Sequence, residues 1–373
     1  MSRLIQNLQI KNFKSIRNLS LDCERINLFI GKPNAGKSNI LEAISLLGVG
    51  YSEGKFMKGL IRYSSIFHLF NNFNIQSPIS LSTNRVHIEL KKAPEEQFSF
   101  LFEPLDFKEK FEDFEINSVE DAEYLEEYKE SYLDKLSEYS DIPDGLHAPN
   151  ISLLKQTRYL TIQQDGKILK HRLYGHNISP IKKYEFRQQS SRKENHSFLT
   201  PPHGGNFYQI ARIYPELREE IKNFLQPNGL ELLLDEESKR IFIVQREEAS
   251  LISFPLHLVP DTFQRYIFHL AAIFSNQDSV LLFEEPETHS YAPYVYQLAQ
   301  HILQDERNNQ YFITTHNPYF LLPILQEAKD VAVFMTWFED YQTHCRKLSE
   351  EEVREALDHG MDLFLNLDSL VPA

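Results

Sequence analysis

The sequence predicts an α/β fold in which a mixed sheet carries a phosphate-binding loop and is interrupted by an inserted lobe of helices and strands. Three stretches predict it. The apolar strand Ile26 to Ile30 (INLFI) enters Gly31-Lys32-Pro33-Asn34-Ala35-Gly36-Lys37-Ser38, and Ser38 opens a helix on which Ile40, Leu41, Ile44 and Leu47 form one stripe before Gly48 stops it. A second apolar strand, Ser279 to Phe283, delivers Glu284 and Glu285 to a sheet edge, as a buried parallel strand does. A third, Tyr311 to Ile313, ends in Thr314-Thr315-His316.

At 373 residues the chain is long enough for two or three average domains, or for one core with a large insertion, and the second reading suits the motifs better. Composition is ordinary for a globular protein, with 42% hydrophobic and 25% charged residues and a mean hydropathy of −0.41. No apolar run approaches the roughly 18 residues of a membrane span, and MSRLIQNLQIKNF reads as a strand and not as a signal peptide. Cys23 and Cys345 are far apart and fit no metal-ligand spacing, which points to a cytoplasmic protein without disulfides or a zinc site. The net charge of −14 argues against coating nucleic acid, which needs clustered Lys and Arg.

Taken in order, residues 3 to 30 read as three strands of one small mixed sheet. Residues 50 to 90 are mixed, with Arg62, His68 and Phe70 among polar and aromatic neighbours and a strand over Arg85 to Leu90. From Lys91 to Asp144 the chain turns acidic, aromatic and helical. Val119, Tyr124, Leu125, Tyr128, Tyr132, Leu133 and Leu136 make a helical stripe, too short for long coiled-coil arms. Asp165-Gly166 between Arg158 to Gln163 and Lys167 to Arg172 signals a hairpin. Lys182, Lys183, Arg187, Arg192 and Lys193, with Tyr184 and Phe186 interleaved, form the basic cluster most suited to single-stranded nucleic acid, though Glu185 and Glu194 dilute it. His203, beside Gly204-Gly205 and without a Ser or Cys partner, reads as structural. A helix over Tyr214 to Leu225, a hairpin over Glu231 to Gln245, a crossover helix over Tyr294 to Leu303, and a closing strand and helix complete the chain.

The loop Gly31 to Ser38 fits G-x-x-x-x-G-K-[ST], whose backbone amides cradle phosphates while the Lys reaches the β- and γ-phosphates and the Ser hydroxyl binds Mg²⁺. The next helix points its free N–H groups and positive dipole end at the same place. ATP and Mg²⁺ are therefore the expected ligands, with Asn34, Gly36, Lys37, Ser38 and Asn39 at the nucleotide.

The segment IKNFKSIRNLSL (Ile10 to Leu21), the phosphate loop after it, LLFEEPETHSYAP (Leu281 to Pro293) and the T-T-H triplet together resemble the ABC-type ATPases of the RecF, SMC and OLD-like branch. The resemblance covers residues 1 to about 90 and 250 to 340. It implies an ATPase head in two halves: 1–90 with Walker A, and 251–340 with a signature-like segment, Walker B and a switch His. Between them lies an inserted lobe at 91–250 (an acidic helical part at 91–144 and a mixed part at 145–250), and an extension occupies 341–373.

By resemblance, Glu285 is the general base, Glu284 takes the place of an Asp that holds Mg²⁺ with Ser38, and His316 contacts the γ-phosphate and the attacking water. The extra methylene of Glu284 fits the octahedral demands of Mg²⁺ less well, so hydrolysis is expected to be slow. Lys14 and Arg17 are implied near the base. Asp261, Thr262 and Arg265 stand where relatives carry a glycine signature facing the nucleotide of a second copy, with Thr262 able to cap the adjoining helix. A Gln that contacts metal and water is expected after a strand; Gln76 is the nearest, without supporting pattern. The C-terminal stretch is too short for a Toprim nuclease domain, so any nucleolytic or toxic output is expected from a separate effector. The resulting expectation is an ATPase that forms a homodimer or higher homo-oligomer and controls a partner in anti-phage defence, without a membrane. A RecF-like DNA repair ATPase and an ATP-binding scaffold without turnover stay open as alternatives.

Overall fold

A strand that is apolar at every position is stable only when both its faces are covered, whereas an alternating strand needs one covered face. That difference separates the N-terminal strands. The structure, a computed structural model, describes residues 4–49, 54–105, 117–121, 158–172, 179–187, 196–248, 250–359 and 364–371. In it β1 (Asn7–Phe13) and β2 (Ile16–Asp22) alternate and pair as a hairpin, while β3 (Ile26–Ile30), buried throughout, leaves them for another sheet. The expected single small sheet over residues 3 to 30 is corrected accordingly.

After β3 come α1 (Lys37–Ser45), β4 (Ile79–Thr83), β5 (Val86–Lys92), β6 (Phe98–Pro104), β7 (Arg158–Ile162), β8 (Ile168–Arg172) and β9 (Ile181–Tyr184). Next are α2 (Phe207–Ile213), α3 (Pro215–Leu225), β10 (Leu230–Asp235), β11 (Arg240–Glu247), β12 (Ser250–Pro255) and α4 (Asp261–Phe274). The chain closes with β13 (Val280–Glu284), α5 (Ala292–Leu303), β14 (Gln310–Thr314), α6 (Pro318–Glu327), β15 (Val331–Glu339), β16 (Gln342–Lys347) and α7 (Glu350–His359).

Among the described residues the first sheet has seven strands, all antiparallel, in the order β2-β1-β4-β5-β6-β7-β8. The second has six, in the order β16-β15-β3-β14-β13-β9. It is parallel from β15 to β9, with β16 antiparallel at its edge. A meander β10-β11-β12 stands apart. The helix α1 lies between the two large sheets, touching β1 on one side and β9, β13 and β14 on the other. Ile40, Leu41 and Ile44 of α1 share a core with Phe29, Leu282, Phe312 and Phe334. The residues one position away on three of those strands, Leu28, Leu281 and Ile313, face the core of α4, α5 and α6 instead. The period of two thus covers both faces of the parallel sheet.

Two sequence expectations are corrected here. The stretch from Lys91 is not helical throughout: Phe98, Phe100 and Phe102 alternate into the core as β6, the partner of β5 and β7. The stripe beyond Asp121 lies outside the described residues, as do Arg192 and Lys193 of the basic cluster. Of the cluster's described cations, Arg187 is exposed but the two lysines are not surface groups. Lys182 and Lys183 are on β9 and only 3% exposed each, because that strand is hydrogen-bonded to β13 and packed against the fold.

Candidate active site

Parallel strands deliver their C-terminal loops to one sheet edge, where ligands of open α/β sheets bind. At that edge β3 feeds the phosphate loop, β13 feeds Glu284 and Glu285, β14 feeds Thr315 and His316, and β9 feeds Glu185 and Phe186. The loop is shaped by two glycines at positive φ, Gly31 (146°) and Gly36 (94°). A Cβ on Gly31 would lie 2.0 Å from the Thr336 carbonyl oxygen, and one on Gly36 would lie 1.8 Å from Thr343 Oγ1. The β15–β16 hairpin therefore backs the loop directly. Thr343 also bonds Ser15 through its amide (2.7 Å), and its hydroxyl lies 2.6 Å from Ser15 Oγ, which accepts from Asn39 Nδ2 at 2.7 Å.

The cleft above the loop measures ≈ 780 Å³. Asn34, Gly36, Lys37, Ser38 and Asn39 line it, together with Arg265, Glu284, Glu285 and His316. Lys37 Nζ donates to the carbonyls of Gly31 and Lys32, both at 2.8 Å, a fold-back that an arriving phosphate would replace. Burial lowers the Lys37 ammonium to about 8, against the opposing pull of Glu285 and Glu287.

Glu285 sits at φ 44°, a left-handed conformation that costs a non-glycine residue about 1–3 kcal/mol. Its amide is held there by the carbonyl and the hydroxyl of Thr314, both at 3.1 Å. Its carboxylate lies 3.3 Å from His316 Nε2, and that contact, assisted by Lys37, keeps it ionised below the usual carboxylate range despite partial burial. His316 is fixed from behind. Glu287 Oε1 accepts from the His316 amide at 2.9 Å and from Thr315 Oγ1 at 2.7 Å, which ties the turn after β13 to the turn after β14.

Glu284 faces the start of α1, where Ser38 donates to it. Burial opposes its charge, but Lys183, Ser38 and Arg62 together hold it below the usual range. Ser38 and Glu284 are hard oxygen donors of the kind Mg²⁺ takes, so the donor set fits that ion. Their surroundings are cationic, however. Lys183 Nζ lies 3.1 Å from Glu284 Oε2 and an Arg62 nitrogen lies 3.5 Å from Oε1.

Lys14 is paired with the fully buried Glu42 of α1 and donates to the Arg62 carbonyl at 2.7 Å, while Arg17 is exposed on β2; neither lines the cleft. Asp261 is paired with Arg265 at 2.6 Å, so its charge is compensated within its own helix. Thr262 does not cap α4, whose first turn lacks a side-chain cap; its hydroxyl donates to the His289 carbonyl at 2.8 Å. Gln76 lies exposed in a turn before β4, away from the cleft. The residue that does come after a strand beside β13 is Glu185, and it lines the cleft with Phe186. His203 serves structure, donating from Nδ1 to the Glu185 carbonyl at 2.8 Å. Sequence reasoning missed Arg62, Glu185 and His269 at the cleft and Lys183 behind Glu284. For Glu185 a signal existed, an apolar-flanked strand ahead of it, but the neighbouring lysines made that strand look like surface.

The sequence matches over residues 26–322 the family described as "AAA domain, putative AbiEii toxin, Type IV TA system". The chain belongs to this family. Its fold is the mixed α/β one of a phosphate-loop ATPase. Over 45 residues this AAA-domain chain is 47% identical to a Helicobacter pylori (strain ATCC 700392 / 26695) protein named ATP/GTP phosphatase; the match spans 12% of each chain. Among solved structures it is similar to an SMC head bound to the C-winged helix domain of ScpA (15% identity, 95% of this chain and 100% of that one, TM-score 0.48). It is also similar to the SMC head domain from Thermotoga maritima (11% identity, 92% of this chain and 99% of that one, TM-score 0.38). Among the described residues no helix is long and apolar enough to cross a membrane.

Proposed function

We propose that the chain binds ATP with Mg²⁺, hydrolyses it, and uses the nucleotide to close two copies upon each other and so control a separate effector protein. The observation that carries the hydrolytic reading is the Glu285–His316 contact of 3.3 Å in the same cleft as Lys37 and the phosphate loop. In this reading the loop amides and Lys37 hold the β- and γ-phosphates. Glu285, ionised and facing the cleft, takes the proton of the attacking water, and His316 aligns that water and contacts the γ-phosphate. Mg²⁺, held by Ser38 and Glu284, would supply charge neutralisation to the phosphates. Arg17 keeps the proposed place near the base, whereas Lys14 is committed to Glu42.

Asp261, Thr262 and Arg265 form the segment proposed to meet the nucleotide of the second copy, with Arg265 offsetting the repulsion of Asp261. The proposal includes a defence role in the cytoplasm with a toxin or nuclease as partner; the family's description, which names a toxin and a type IV TA system, supports the toxin part of it. The DNA repair reading is weakened, since two cations of the basic cluster are buried.

The test is steady-state phosphate release by the wild type beside Glu285→Gln and Lys37→Ala. Glu285→Gln should retain ATP binding and lose about 10²-fold or more in turnover, while Lys37→Ala should lose binding as well. A wild type that binds ATP yet turns over no faster than Glu285→Gln would overturn the hydrolase reading.

A further inference from the structure

We propose that Lys183 and Arg62 form a resident counter-charge at Glu284, so that the triphosphate binds in this cleft with little help from the Mg²⁺ that its hydrolysis uses. The inference rests on the nucleotide-binding reading above. Lys183 stands on β9 in register with Leu282 of β13, and its side chain runs along the sheet to the acidic edge. There its ammonium meets Glu284 Oε2 at 3.1 Å and the Leu60 carbonyl at 3.3 Å. At 3% exposure Lys183 is almost wholly enclosed, and breaking a buried pair by removing one member is strongly unfavourable.

Arg62 takes the other oxygen of Glu284 at 3.5 Å and is itself anchored, through Nε, on Glu42 at 2.6 Å. Glu42 is fully buried and also paired with Lys14. The cluster therefore sets three cations, Lys14, Arg62 and Lys183, against Glu42 and Glu284, with Glu185 also acting on Arg62, so that Glu284 adds no uncompensated negative charge beside the phosphate loop. The other acid of the pair, Glu285, is turned to His316.

The consequence is Coulombic. A bare carboxylate at the end of β13 would repel a triphosphate and require a metal ion between them. Here both oxygens of Glu284 already face cations, so the phosphates meet a neutralised group. An entering divalent ion, by contrast, must approach Glu284 against the charges of Lys183 and Arg62. These two residues position and neutralise Glu284, and they set how strongly nucleotide affinity depends on metal.

The experiment measures the affinity of the full chain for the fluorescent analogue mant-ATP in Mg²⁺ and in EDTA, for the wild type, Lys183→Gln and Arg62→Gln. Wild-type affinity should fall by no more than about threefold in EDTA, and in Lys183→Gln the loss should grow to about tenfold or more. Arg62→Gln should move the same way by a smaller factor, since Arg62 is largely exposed; circular dichroism and thermal melts verify that each variant is folded. If Lys183→Gln does not fold, Arg62→Gln carries the comparison. A wild type that loses more than about tenfold in EDTA, or folded variants with the wild-type ratio, would overturn the proposal while leaving the nucleotide site intact. Absence of binding under both conditions would remove the nucleotide reading and this inference with it.

Discussion

Glu287 shows how a single side chain outside the reacting pair can govern it. Its Oε1 holds the Thr315 hydroxyl and the His316 amide, while Oε2 is buried without a hydrogen-bond partner. Burial holds its carboxyl above the usual range, with Glu285 adding to the effect and the two hydrogen bonds opposing it. A carboxyl raised on folding stabilises the folded chain below its unfolded value of about 4.3, and that contribution is lost as the pH climbs through the raised folded value. Glu287→Gln keeps an oxygen for both donors and removes the titration. Its thermal midpoint, relative to wild type, should therefore rise as the pH climbs above about 4.3; a difference that stays flat with pH would show that Glu287 does not titrate in the folded chain. Glu287→Ala leaves two donors unpaired and should cost about 1–3 kcal/mol in urea unfolding.

At the level of elements, the phosphate loop depends on a hairpin that no sequence motif announces. Gly31→Ala would drive a Cβ to 2.0 Å from the Thr336 carbonyl oxygen, a backbone atom that cannot swing away. A loss of at least about 3 kcal/mol in urea unfolding is expected, and stability within about 0.5 kcal/mol of wild type would show that the hairpin gives way. The parts of the site legible in the sequence are those with local signals: β3, β13 and β14 announce themselves by apolar runs that lead into glycine, acid or histidine, and α1 by its apolar stripe. The illegible parts lack any local signal. β9 carries two lysines that read as surface because their partners, Ser279, Glu284 and Leu60, are contributed by distant segments. β6 hides in an acidic, aromatic stretch, and its Phe98, Phe100 and Phe102 reveal their face only once β5 and β7 flank it. Arg62 lies in an irregular segment, where periodicity says nothing.

For the molecule as a whole, charge decides which partners are favoured. A net charge of −14 combines with the enclosure of Lys14, Lys37, Lys182 and Lys183, so several of the chain's cations are committed to internal partners. Lys182, for instance, donates to Ser279 Oγ at 2.9 Å and lies over the Phe198 ring at 4.5 Å, and burial lowers its ammonium to about 7. Nonspecific binding to DNA scales with the phosphates neutralised at the surface. The chain should therefore leave single-stranded DNA unshifted in a gel at about 50 mM salt, with or without ATP. A tight, salt-sensitive, ATP-dependent shift would restore the DNA repair reading.

The order of strands in the parallel sheet also has a bearing on synthesis. β3 is flanked by β14 and β15, and the Asn27 side chain already reaches the Tyr311 carbonyl across 284 positions. At a translation rate of about 5–20 residues per second, the phosphate loop leaves the ribosome roughly a quarter of a minute to a minute before the strands that flank it exist. Vectorial synthesis thus withholds the nucleotide site from a nascent chain, and the first ATP this protein holds is bound by a chain whose C-terminal half has already emerged.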